Sequence, residues 1–157
     1  MALSNIERLI KLAEETFAMN SDPSQLNVNQ EVRDRLIKIH PASLSEFSDE
    51  NGPVAWLLVI PTTTVLMNKF LTKEITEKEL FEMTPLNTAY EALYLCSGLV
   101  LEEYRRQGII RQLALKAIGD IRKDHPIKFL FNWAFTKEGD YAAEALAKLT
   151  GLPLHNR

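Results

Sequence analysis

A largely apolar run over residues 93–101 turns abruptly into Tyr104-Arg105-Arg106-Gln107-Gly108, and then into a helical pattern over residues 109–122. In that pattern Ile109, Ile110, Leu113, Ala114, Ala117, Ile118 and Ile121 share one face, opposite Arg111, Gln112, Lys116 and Arg122. No other feature restricts the fold as much. An apolar strand has to run through a short basic loop straight into an amphipathic helix, which calls for a sheet with helices laid on it.

The loop has its own chemistry. The first backbone N–H groups of a helix have no internal partners and sit at the positive end of its dipole, so they form an anion site. Gly108 at the first turn removes the Cβ that would keep a phosphate from the backbone. Arg105 and Arg106 add fixed charge and forked donors suited to phosphate oxygens. The stretch describes a diphosphate cradle. It is neither a P-loop, since GxxxxGK[ST] is absent, nor a dinucleotide fingerprint, which needs GxGxxG. On the loop alone, a charged surface helix after a turn is an equally good reading.

Elements on either side fill in an α/β order. Ser4-Asn5-Ile6-Glu7 is a capping-box pattern opening a helix to about Ala18, and a second helix is expected over residues 29–39. Residues 44–47 and 54–60 read as a hairpin around an Asn51-Gly52 turn, its second strand buried on both faces. Between Pro61 and Glu91 a short helix over residues 65–71 and a second one opened by Thr76-Glu77-Lys78-Glu79 are expected. That connection is longer than two strands require, and the two helices are placed as a roof over a binding site. Phe70, Phe81 and Met83, taken singly, read as core contacts. Residues 127–135 are expected to be a third buried strand, and residues 140–150 a last helix stopped by Gly151 and Pro153. No repeat or linker interrupts this, so residues 1–157 are expected to be one domain.

Gly98, inside its strand, marks a bulge or a close backbone approach. Asn132 ends the next buried strand with both a donor and an acceptor, at the kind of crevice where open α/β sheets bind ligands.

Residues 100–110 resemble the acyl-CoA-binding motif of the GNAT superfamily of N-acetyltransferases, a strand end followed by Gln/Arg-x-x-Gly-x-Gly/Ala, with Arg105 and Gly108 on its first two defined positions. The family's next motif, Asn-x-x-Ala-x-x-Leu-Tyr-x-x-x-Gly-Phe, is echoed by Asp140, Ala143, Leu146, Ala147, Gly151 and Leu152. The resemblance implies an α/β (α+β) fold with a mixed, mostly antiparallel sheet flanked by helices, two of its strands splayed around a slot for CoA. It further implies that pantetheine pairs with the strand at Leu99, Val100 and Leu101. The pyrophosphate would sit on Arg105, Arg106, Gln107, Gly108, Ile109, Ile110 and Arg111, with Asn132 bordering the slot. Acetyl-CoA is the implied cosubstrate, and a small-molecule or peptide amine the implied acceptor. The amine would attack the thioester directly, with proximity a large part of the catalysis.

Two positions depart from the family. Ile110 stands where Gly or Ala is usual, and its helical phase assigns it to the core. Ala147 stands where a tyrosine often protonates the leaving thiolate. Tyr141 lies six positions earlier, about 9 Å away along the axis, and reads as a packing residue with a wet hydroxyl. Tyr94 and Ser97 are candidates for that role, and Glu102, Glu103 and Tyr94 for the base. Cys96 reads as a small buried residue rather than a nucleophile. Trp56 and Trp133 read as core, and His40, His125 and His155 show no metal-ligand spacing.

The loss of that tyrosine keeps open a CoA-binding sensor or partner domain without transfer activity. A nucleic-acid module using Arg105, Arg106, Arg111, Lys116, Arg122 and Lys123 is a third reading. The net charge of −3, with no aromatics interleaved among those cations, argues against it. No apolar stretch approaches the ~20 residues of a membrane span. The lone Cys96 fits a cytoplasmic setting. A sheet edge near the C-terminal strands is a place for a homodimer contact.

Overall fold

The computed structural model describes residues 3–17, 30–133 and 137–157. Its elements in chain order are α1 (Asn5–Phe17), α2 (Gln30–Ile39), β1 (Leu44–Asp49), β2 (Gly52–Thr62), α3 (Thr64–Leu71), α4 (Glu77–Met83), β3 (Ala92–Val100), α5 (Ile109–Asp124), β4 (Phe129–Asn132), α6 (Lys137–Thr150) and β5 (Leu154–Asn156). The expected boundaries at Ala18 and Asn29 lie outside the described residues.

Local chemistry explains most element ends. Ser4 and Glu7 close the expected capping box, the Glu7 N–H donating to Ser4 Oγ and the Ser4 N–H to Glu7. In the hairpin turn the Asn51 N–H donates to Asp49 Oδ1 (2.7 Å), and Gly52 takes a φ of 112° that side chains avoid. At α4, Thr76 and Glu79 form a complete capping box.

The sheet runs β1-β2-β3-β4-β5. The two long ladders, β1/β2 and β2/β3, are antiparallel, while the shorter β3/β4 and β4/β5 are parallel. The α5 and α6 crossovers supply the long return that parallel pairing needs. β2 is buried on both faces, as its unbroken apolar run predicts. One expectation needs correction, and one strand was not expected. The strand expected over residues 127–135 is confined to β4: the N–H groups of Lys128 and Phe129 both turn to the Glu91 carbonyl, and residues 134–136 lie outside the described part. β5 has no apolar run to announce it. Its pairing rests on backbone, such as Leu130 N–H to Pro153 O and Arg157 N–H to Asn132 O.

The main core holds Leu36, Ile60, Phe70, Leu80, Tyr94, Ile118 and Phe131, all fully buried. A smaller cluster under α1 joins Leu9, Val54, Leu99, Leu101 and Ile109. Phe81 is core as read, but Met83 is exposed. Among the described residues no helix is long and apolar enough to cross a membrane.

Candidate functional site

β3 and β4 stay paired only from Ala92↔Phe129 to Leu95↔Asn132. Beyond that β4 ends, and among the described residues 97–100 pair with β2 alone, which leaves the other edge of β3 open as a slot. A bulge sits where the pairing stops. Leu58 faces Ser97 while Val59 faces Leu95, leaving Cys96 as the extra residue. The sequence reading put this irregularity at Gly98. Gly98 instead serves close packing, because a Cβ there would lie 3.2 Å from Ile110 Cγ2. Ile110 therefore turns inward to the core, as its phase predicts, and the bulk missing at Gly98 makes room for it.

Along the open part of β3, the Leu101 N–H donates to Val54 O (2.9 Å), so Leu101 and Leu99 direct their polar groups to β2. Alternation turns those of Gly98 and Val100 toward the slot. Of the three residues expected to meet a pantetheine chain, Val100 is the one that presents backbone to it. Its carbonyl accepts a long bond from Arg105 Nε (3.4 Å).

One end of the slot is a row of free amides. The first helical bond of α5 runs from Gln112 N–H to Gly108 O, and Gly108, with φ 74°, caps nothing with a side chain. The N–H groups of Arg106 to Arg111 have no partner among the described residues. Arg105, Arg106, Gln107 and Arg111 are exposed around them. Arg106 also holds a left-handed φ of 65°. Lys73 shares that region for an ordinary reason, since it closes α3 with the Glu74 N–H returning to Lys69 O. Arg106 holds it for a similar reason, since it follows Arg105, the C-cap of a 3-10 turn over residues 102–104.

Glu102 and Glu103, expected near the acyl end, belong to this end instead. They lie in a single 3-10 turn after β3, about 20 Å from the parting of the strands at 3.3 Å per residue. Glu103 is held by Arg8 at 2.6 and 2.7 Å, and that hydrogen bond keeps its carboxyl below the ordinary range. Glu102 is exposed.

The opposite end is buried. Tyr94 is fully enclosed, and its hydroxyl donates to Glu77 Oε2 at 2.7 Å. Burial first, then Cys96 and Glu77, pushes its ionisation well above the ordinary tyrosine value. The Cys96 thiol is likewise pushed up by burial and by Glu77, which disfavours a thiolate there. Ser97, half-buried, adjoins the bulge and hydrogen-bonds Cys96. Asn132 is 3% exposed, yet its Oδ1 has no hydrogen-bond partner among the described residues. Phe70 from α3 packs on Tyr94, Phe131 and Trp133 (5.0, 5.9 and 6.1 Å between centroids), so α3 covers this end, and α4 reaches it through Glu77. The Arg157 guanidinium lies over the Phe70 and Trp133 rings at 4.4 and 4.6 Å and donates to Ile75 O.

Sequence reasoning missed Glu77 and Arg157. In the sequence Glu77 is one acid within a capping box, and nothing there tells it from Glu79, which does the capping. Of the second motif, Ala143, Leu146 and Leu152 are buried, Ala147 packs against the core, and Gly151 ends α6 with φ 73°. Tyr141 is 67% exposed, so its hydroxyl is wet as read. Trp56 is half-buried against the smaller cluster, its Nε1 enclosed without a partner. His40 and His125 belong elsewhere: His40 Nδ1 accepts from Ala42 N–H, so Nε2 donates to Asp124 (2.7 Å), and burial lowers the His125 pKa. Among the described residues no group of three His, Cys, Asp or Glu side chains is placed to hold a metal.

A mixed sheet whose central strands part beside a glycine-led helix N-terminus is the GNAT fold, and this chain has it. The comparison with one solved acetyltransferase complex agrees. The NatB acetyltransferase complex bound to CoA and MES matches at TM-score 0.52 and 16% identity, over 85% of this chain and 77% of that one. An aminoglycoside acetyltransferase from an uncultured soil metagenomic sample, in complex with trehalose, matches at TM-score 0.49 and 18% identity, over 93% of this chain and 82% of that one. No protein-family model matches the sequence, and no curated protein does.

Proposed function

We propose that the chain is an acyl-CoA-dependent N-acyltransferase, with acetyl-CoA as donor, that passes the acyl group directly to the amine of a small molecule or a peptide. The observation that carries this is the run of unpartnered N–H groups from Arg106 to Arg111 at the mouth of the slot. Free amides at a helix start, ringed by arginines, suit the two linked phosphates of CoA. Pantetheine then runs along the backbone that Gly98 and Val100 turn outward, which carries the thioester to the bulge at Cys96. Asn132 fits there, since an enclosed, unpaired Oδ1 needs an N–H donor that a ligand can bring. Catalysis comes chiefly from holding the amine against the thioester carbonyl. No step in this scheme requires a metal. The setting is cytoplasmic, and a homodimer contact would use the open edge at β5.

A second reading, a CoA-binding sensor without transfer activity, is favoured by one pair of observations. Ala147 offers no hydroxyl at the position where the family often has its acid, and the Tyr94 hydroxyl is already turned to Glu77. Thermal unfolding with millimolar acetyl-CoA tests both readings against other classes. A ligand at 100 times its dissociation constant adds about 2.7 kcal/mol of stability. Absence of any shift, with salt-sensitive DNA binding in its place, would reverse the assignment. Thiol release across a panel of amines then separates transferase from sensor.

A further inference from the structure

A buried carboxylate costs several kcal/mol unless something compensates it, so its place in a fold calls for a reason. Glu77 is 5% exposed and sits at the first position of α4. It is not needed as a cap, because Thr76 and Glu79 close the capping box between them. Instead its carboxylate reaches the β3 side of the strand parting, where it accepts the Tyr94 hydroxyl at 2.7 Å. Cys96, the bulged residue, adjoins it, and Asn132 lies across the parting as the partner of Leu95. Burial suppresses ionisation of both Tyr94 and Cys96, so beside Glu77 they are donors and not bases. Glu103 is held by Arg8, and Glu102 lies at the far end of the slot.

We propose that Glu77, carried to the parting of β3 and β4 by the α3–α4 roof, is the general base for the acceptor amine, with Tyr94 as the positioning residue that fixes its carboxylate. The proposal rests on the transferase reading above. The amine nitrogen forms a bond to the thioester carbonyl carbon, and the carbon–sulfur bond breaks with its electron pair leaving on the CoA sulfur. The proton shed by nitrogen goes to a Glu77 oxygen and from there to solvent, and the thiolate takes one proton from water. Among the described residues, Tyr94 and Cys96 on β3 are titratable groups that meet Glu77, and Arg157, next to β5, acts electrostatically on Tyr94.

Glu77→Gln keeps the shape and removes the charge. Calorimetry with acetyl-CoA should give unchanged affinity, and n-butylammonium titrated into the CoA complex should bind at least about tenfold more weakly. With n-butylamine as acceptor, kcat/KM should fall by about 10²- to 10⁴-fold, and the acid limb of its pH profile should disappear. Full activity with the acid limb intact in Glu77→Gln overturns the proposal. So does a wild type that binds acetyl-CoA yet releases no thiol with any amine. A wild type that fails to bind acetyl-CoA removes the reading of the slot itself, a separable result. Should Glu77→Gln unfold, Tyr94→Phe leaves the carboxylate in place but unanchored. A pH profile and rate identical to wild type in that variant would equally sink the assignment.

Discussion

The two ends of the slot are built on opposite plans. The end proposed for the phosphates is one unbroken stretch, residues 102–111, which offers main-chain amides and exposed arginines. The acyl end draws Phe70 from α3, Glu77 from α4, Tyr94 and Cys96 from β3, Asn132 from β4, and then Trp133 and Arg157. The difference follows from what each end would contact. Phosphates are strongly hydrated and need only fixed positive groups that water can also solvate when no ligand is bound. A reacting carbonyl gains most from groups in a water-excluded site, where electrostatic interactions are strongest. Such a site has to be enclosed by side chains from several elements.

That contrast breaks first if the acyl end is not truly packed. Phe70→Ala removes a fully buried ring that touches Tyr94, Phe131 and Trp133, and should lower stability by about 3–5 kcal/mol. At 2–4 °C per kcal/mol for a chain of this size, the unfolding midpoint should drop by roughly 10 °C. A loss under about 1 kcal/mol would mean the roof is loosely seated. The matching change at the other end is Gly108→Glu. A Cβ at Gly108 meets no atom within 4 Å, so the fold should survive, with about 1–2 kcal/mol lost to the left-handed backbone. A carboxylate in the cradle should weaken acetyl-CoA binding by on the order of a hundredfold, about 2.8 kcal/mol. Unchanged affinity in a calorimetric titration would contradict the assignment of those amides to the phosphates.

The same contrast explains what the sequence reveals. The strand, the basic loop, Gly108 and the phase of residues 109–121 are consecutive, so their chemistry is legible in order, and α5 with its inward Ile110 follows from periodicity alone. The hairpin and both capping boxes are legible for the same reason. Glu77 is not, because only tertiary packing sets it apart from Glu79 two positions later. The bulge at Cys96 is equally hidden: it is a mismatch between two strands, and neither strand alone records it. β5 owes its place to backbone pairing with β4, and a three-residue strand with a half-buried leucine carries no alternation to read.

The smallest effect concerns how the phosphate end is tied to the rest. Its 3-10 turn is held by surface contacts: Tyr104 donates to Asp49, which also accepts from the Asn51 N–H and from Asn5 Nδ2, while Arg8 on α1 holds Glu103. The Tyr104 hydrogen bond, chiefly, draws the Asp49 carboxyl below its ordinary value, and the Arg8 hydrogen bond does the same to Glu103. A carboxyl depressed in the folded state adds stability above the ordinary carboxylate range and loses it as pH falls through the folded value. Acid should therefore loosen α1 and the 3-10 turn before it loosens α3, whose seat is apolar. Amide-exchange protection, corrected for intrinsic rate, should fall in α1 between pH 6 and pH 3 while α3 holds. Asp49→Asn should flatten that fall, and the change should be small because both carboxylates are open to salt and water. Equal losses in α1 and α3, or an acid response untouched by Asp49→Asn, would show that the two ends are not held by different forces after all.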